Sequence, residues 1–297
     1  MRVAFLFFSL VMASLAIFVF AEFDGLSRWV VEQQRGFQNQ MAGAARALRA
    51  GDLAAYAALL AATGAYGFVH AVGPGHGKYL VGGVGLGTSV TTRKLVALSA
   101  ISSLLQSVWA ILLVYGGFTF LEVSAGQLTY LAEDILAPAS YGAIGLVGVI
   151  LAWRGMRALA LAATSPALAH AGHHHHGPGC SHSHGPTREE VDGISTLREA
   201  AALVASIAVR PCTGAIFLLV ITWQMDIKLA GAIAVLVMGL GTAALTSLVA
   251  VSSVVARQAA VISGDGNGLS GIIFPASQVF AGSLIFWISL GFIATAL

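Results

Sequence analysis

His70-Ala71-Val72-Gly73-Pro74-Gly75-His76-Gly77-Lys78 sits inside an apolar run from about Ala54 to Gly87, longer than the ~20 residues a helix needs to cross the hydrocarbon core of a bilayer. Two histidines, a lysine, a proline and three glycines therefore fall at or near membrane depth. Non-helical backbone is tolerated there only when it is buried in protein or lines a polar cavity, and ionisable residues inside a membrane mark functional sites by default. The stretch is read as a break in a membrane-spanning helix.

The rest of the chain agrees with a membrane setting. Of 297 residues, 57% are hydrophobic and 9% charged, where a soluble domain carries ~25% charged residues. The apolar segments are continuous rather than alternating, which indicates helices and not a barrel. A formal charge of +2 with no basic patch gives no sign of nucleic-acid binding. Cys180 and Cys212 lie in such different settings that a structural disulfide between them is not expected.

Residues 1–21 are either a first transmembrane helix or a signal peptide, because Val19-Phe20-Ala21 ahead of Glu22 fits a small-residue cleavage site. Residues 22–53 carry an amphipathic segment. Leu26, Trp29, Val30, Phe37, Met41, Ala45 and Leu48 recur at helical spacing, and Arg28, Glu32, Gln33, Arg35 and Arg46 occupy the other face. It is expected to be a periplasmic helix lying at the membrane surface, with the role of a connector that packs on the bundle favoured over partner binding.

Spanning segments are expected at about 54–87 (broken), 95–118, 138–163, 197–224 (broken), 229–256 and 270–296. With the first apolar stretch the fold is an all-α polytopic membrane protein of six to seven transmembrane helices. Arg93, Lys94, Arg154, Arg157 and Arg257 mark cytoplasmic loops, whereas 119–137 holds Glu122, Glu133 and Asp134 without Lys or Arg. That places the loop 164–196 in the cytoplasm and the C-terminus in the periplasm. Gly73-Pro74-Gly75-His76-Gly77 has a counterpart in Arg210-Pro211-Cys212-Thr213-Gly214. Three spans separate the two, so the halves 54–163 and 197–297 form an inverted three-plus-three repeat with two broken helices, a design in which the breaks point to a transport site.

Chemistry is concentrated in two places. The loop holds His170, His173, His174, His175, His176, His182 and His184 among Gly, Pro and Ser, and imidazole selects borderline transition metals over Mg or Ca. The breaks hold His70 and His76, which Pro74 would free from helical regularity so that both imidazoles converge on a divalent cation; packing of two satisfied polar groups is the competing reading. Cys212 is a candidate third ligand or a small packing residue. Lys78 and Arg210 are cationic where a metal cage would want carboxylates, and are assigned to gating or charge compensation. Gln106, Ser102, Ser103, Ser107, Thr242, Thr246 and Ser247 are expected to bond across helices or line the path.

On the two break motifs, the His-rich loop and Gln33-Gln34-Arg35, the chain from about Leu26 onward resembles the nickel/cobalt efflux proteins of the NicO branch of the nickel–cobalt transporter superfamily. The resemblance implies export of Ni2+ and Co2+ as substrates across a bacterial inner (plasma) membrane, with no enzyme activity or cofactor. An ion gradient would drive it, since no P-loop is present. Expected partners are divalent transition-metal ions and the lipid bilayer, with no nucleic acid; homo-oligomerisation is left open. Pro74-Gly75 stands before His76 where related uptake permeases carry an acid between two histidines, which favours efflux. Uptake, export of zinc, copper or iron, and a metal sensor built on the His loop are the competing functions. A cation-diffusion exporter would need His-x-x-x-Asp sites, and a thiol–disulfide conduit would need a cysteine in the first half; neither is present.

Overall fold

The computed structural model describes residues 25, 28–73, 76–164, 197–265 and 270–296, and every regular element among them is helical. Helix α1 spans 28–49. The elements that follow are α2 (Ala55–Val72), α3 (His76–Gly87), α4 (Thr92–Gly116), α5 (Ala125–Tyr130), α6 (Ala137–Thr164), α7 (Leu197–Ala208), α8 (Thr213–Gln224), α9 (Lys228–Asp265) and α10 (Ser270–Ala296). Among the described residues five helices are long and apolar enough to cross a membrane, six if the pair Ala200–Ala208 and Thr213–Gln224, bent by 58°, makes one span. Large apolar side chains left exposed on these helices, Leu146, Trp153, Leu240 and Trp287 among them, have hydrocarbon as their natural neighbour. The chain is an all-α polytopic membrane protein, as expected. The apolar stretch 1–21 and the His-rich loop lie outside the described residues.

The segment 119–137 differs from the expectation of a plain loop. Wide π-helical turns at Gly117–Leu121 and Leu131–Leu136 flank α5, and Glu122 closes the first of them at φ 51°. Ser124 then starts α5 with a capping box: its hydroxyl accepts from the Gln127 N–H, while the Gln127 side chain accepts from the Ser124 N–H. Acidic composition signalled a polar segment there but not its helicity. Local hydrogen bonds settled that.

The described residues fall into two compact units, one holding α1, α2 and residues 217–242, the other holding α3 to α7, the start of α8, residues 243–265 and α10. In the first, α1 packs Val30, Met41 and Ala45 inward; Trp29, expected on that face, is exposed. Gly64 and Gly67 of α2 meet Gly241 and Met238 of α9 backbone to backbone: a Cβ on Gly67 would strike the Met238 carbonyl, and one on Gly241 the Gly64 carbonyl. In the second, Leu80, Val84, Leu95, Ile144, Leu203 and Ile285 belong to one buried apolar cluster. There α6 and α10 approach through Gly148, Gly155 and Gly282; a Cβ on Gly148 would lie 2.8 Å from the Gly282 carbonyl. Lipid is as apolar as leucine, so association of such helices depends on van der Waals fit, and small residues permit the closest fit.

Replacing Gly241 or Gly282 with Ala is expected to destabilise the protein by about 1–3 kcal/mol through overpacking. Gly142→Ala, which meets nothing within 4 Å, should instead gain up to about 1 kcal/mol of helix propensity. Thermal unfolding of the three purified variants in detergent checks the opposite signs.

Candidate functional site

The first break follows from local chemistry. A residue before proline is pushed out of the helical region, and Gly73 has φ −58° and ψ 167°. The α2 ladder accordingly ends with the Gly73 N–H donating to the Val69 carbonyl, with His70 in the last turn. Tyr66, one turn earlier and buried, lays its ring beside the His70 imidazole at 5.8 Å between centroids and 9° between planes. From α1, the Gln34 carboxamide oxygen lies 3.4 Å from Nδ1 of His70. Gly73 allows this approach, since a Cβ there would meet Val30 Cγ1 at 2.9 Å.

The second break has its own set of partners. After Ala208 the helix stops, and Cys212 starts α8 by accepting from the Ala215 N–H with both its sulfur, at 3.3 Å, and its carbonyl, at 3.0 Å. Cys212, a candidate ligand by composition, thus serves as a helix cap. The Arg210 carbonyl accepts from the Gln106 side chain of α4 at 2.6 Å. Its guanidinium donates to the Tyr141 hydroxyl on α6 and lies 5.0 Å from the centre of that ring, which stacks in turn on Phe292. The Thr213 hydroxyl donates to Glu133 at 3.1 Å, setting a carboxylate near the electropositive N-terminus of α8.

His76 opens α3, with its side chain outside the described residues. Lys78 follows on α3, its Nζ 5.2 Å from the Tyr79 ring centre. His170, His173, His174, His175, His176, His182 and His184 lie outside the described residues. Among the described residues no three His, Cys, Asp or Glu gather into a group that would hold a metal ion. Of the hydroxyls expected between helices, Thr242 does donate from α9 to the Gly67 carbonyl of α2 at 3.1 Å. Ser102, Ser103 and Ser107 bond back to carbonyls four residues earlier in α4 instead, because that acceptor is always within reach in a helix.

Sequence reasoning missed Gln34, Tyr66, Tyr141 and Glu133 as neighbours of the breaks. Gln34 left a readable sign. It interrupts the stripe Val30, Phe37, Met41, Ala45 at a position where the helix repeat calls for an apolar residue. The others left none, because their partners are 69 and 80 residues away along the chain or were hidden in an ordinary apolar span.

Long apolar helices, one pair of them bent at a break, describe a multi-pass membrane protein. Over 203 residues the chain is 28% identical to a Haemophilus influenzae protein named "Putative nickel/cobalt efflux system". The match takes in 64% of this chain and 63% of the relative, so the chain spans less than two thirds of that protein's length. No family model and no solved structure matches the chain.

Gln106→Leu removes the donor that reaches the Arg210 carbonyl. A loss of about 0.6–1.7 kcal/mol is expected, the range of interhelical hydrogen bonds in membranes. Hydrogen exchange should show it as lower protection confined to 210–216 and the facing turn of α4, with the other helices unchanged.

Proposed function

We propose that the protein is a secondary transporter, not an enzyme, that exports divalent nickel and cobalt across the bacterial inner membrane. The observation that carries this reading is His70. An imidazole at the last turn of a membrane-spanning helix, where the ladder ends beside a Gly-Pro break, is costly in hydrocarbon and of the ligand class that borderline transition metals prefer. The efflux relative supports metal transport as the family's work and outward movement as its direction. No P-loop occurs in the sequence, so an ion gradient is the proposed energy source.

The element order supports the inverted-repeat proposal. A helix pair separated by a Pro-containing break is followed by two continuous spans, α2/α3 then α4 and α6, and the same order returns in α7/α8 then α9 and α10. His70 is the principal transport ligand, and His76, which opens the helix after the same break, is the next candidate. Cys212 is assigned to capping, and Arg210 to fixing the second break on Tyr141. The loop His170–His184 collects metal on the cytoplasmic side, and the C-terminus is periplasmic.

Expression in cells that lack their own exporters tests the reading through growth on Ni2+ and Co2+ and through cellular metal content. The wild type should lower both metals and raise tolerance, His70→Ala should abolish the effect, and deletion of 170–184 should leave export working with altered metal dependence. Unchanged metal content with the protein present in the membrane fraction would sink the export reading, and a higher content would mean uptake. Loss of all response with the loop alone would mean a sensor.

A further inference from the structure

Gln34 stands on the inward face of α1, four residues after Val30 and seven before Met41, both fully buried. Its carboxamide oxygen is 3.4 Å from Nδ1 of His70. Its nitrogen lies on the Gly73 side, 3.5 Å from where a Cβ of Gly73 would stand. An amide oxygen only accepts, so the ring nitrogen facing it is the one that carries the proton. A neutral imidazole has one such proton, which puts the lone pair on Nε2. Tyr66, 2% exposed, lies almost parallel to the imidazole and fixes the plane in which that lone pair points.

We infer that Gln34 is a positioning residue that holds His70 as the Nδ1–H tautomer and so makes Nε2 the atom offered to a divalent transition metal. This rests on the reading of His70 as a transport ligand. The choice of an amide is informative. A ligating histidine usually donates its second N–H to a carboxylate, a backbone carbonyl or water, and a carboxylate there raises the basicity of the ligating nitrogen. A neutral amide orients the ring without that increase, which suits a site that must release its ion as well as bind it.

The test uses the full chain in liposomes that enclose a metal-sensing dye, with Co2+ as the probe moving down its own gradient and the same buffered salt solution on both sides, so that any coupling ion is available for exchange. Initial rates against Co2+ concentration give KM and maximal rate for wild type, His70→Ala, Gln34→Met and Gln34→Glu, each with its melting temperature. Gln34→Met, close in shape but without the acceptor, should raise KM by on the order of 10-fold, the lower end of the effect of outer-shell partners on metal affinity. Its maximal rate should change little. Gln34→Glu keeps the acceptor and should return KM to the wild-type value or below it, with a slower maximal rate as release becomes harder. A purely structural role would not split the two constants in this way. A wild-type KM for Gln34→Met, or a KM raised alike in Gln34→Met and Gln34→Glu, overturns the inference while transport itself stands. Should Gln34→Met not assemble, Gln34→Glu decides alone, and a raised KM in it overturns the inference. No Co2+ flux by the wild type, or wild-type kinetics from His70→Ala, would instead bring down the transport reading beneath it.

Discussion

Backbone groups inside hydrocarbon have no water to turn to, and each unsatisfied one costs several kcal/mol. A helix meets that demand by itself; a broken helix does not. Among the described residues α2 ends at Val72 and α7 at Ala208 in such breaks, and a glutamine from another helix reaches each. Gln34 faces His70 and Gly73 at the first, and Gln106 donates to the Arg210 carbonyl at the second. A long, uncharged side chain with both a donor and an acceptor suits this position. At the second break it donates to a backbone carbonyl and at the first it meets an imidazole, in neither case bringing a charge into the bilayer.

The small residues serve the same constraint by another route. Gly64, Gly67 and Gly241 in one unit, and Gly148, Gly155 and Gly282 in the other, let backbones approach to distances that a Cβ would forbid. Close approach in the first unit also lets the Thr242 hydroxyl reach the Gly67 carbonyl on the neighbouring helix. Packing and polar pairing are therefore linked in α2. The side chains that hold His70 depend on where α1 and α2 come to rest.

Lys78 and Arg210 are cationic residues at the breaks, and no spanning segment offers an obvious acid to offset them. Part of the difficulty lifts in the folded chain. Arg210 is engaged with Tyr141 by a hydrogen bond and by its ring face, and Lys78 lies over Tyr79. Aromatic faces take up positive charge without needing a carboxylate. Glu133, assigned to a polar connection by composition, comes next to Thr213 at the start of α8 and adds an acid close to the second break.

Much of the architecture could be read from the chain because bilayer thickness, not tertiary packing, sets the length of a spanning segment. The runs at 54–87, 95–118, 138–163, 197–224, 229–256 and 270–296 all became helices or broken helix pairs. Both breaks were legible too, since a proline weakens the helical ladder, although Pro275 lies inside α10 without ending it. The helicity of the connection 119–137 was not legible, because a capping box and two π-turns depend on individual hydrogen bonds that no hydropathy pattern encodes. Which side chains meet at the breaks was decided by the tertiary structure alone. Gln34 and His70 are 36 residues apart, Gln106 and Arg210 104, Tyr141 and Arg210 69. Hydropathy fixes that a helix spans, but a hydrogen bond needs its rotation and depth to within a fraction of an ångström, and those come only from the packing of one helix on the next.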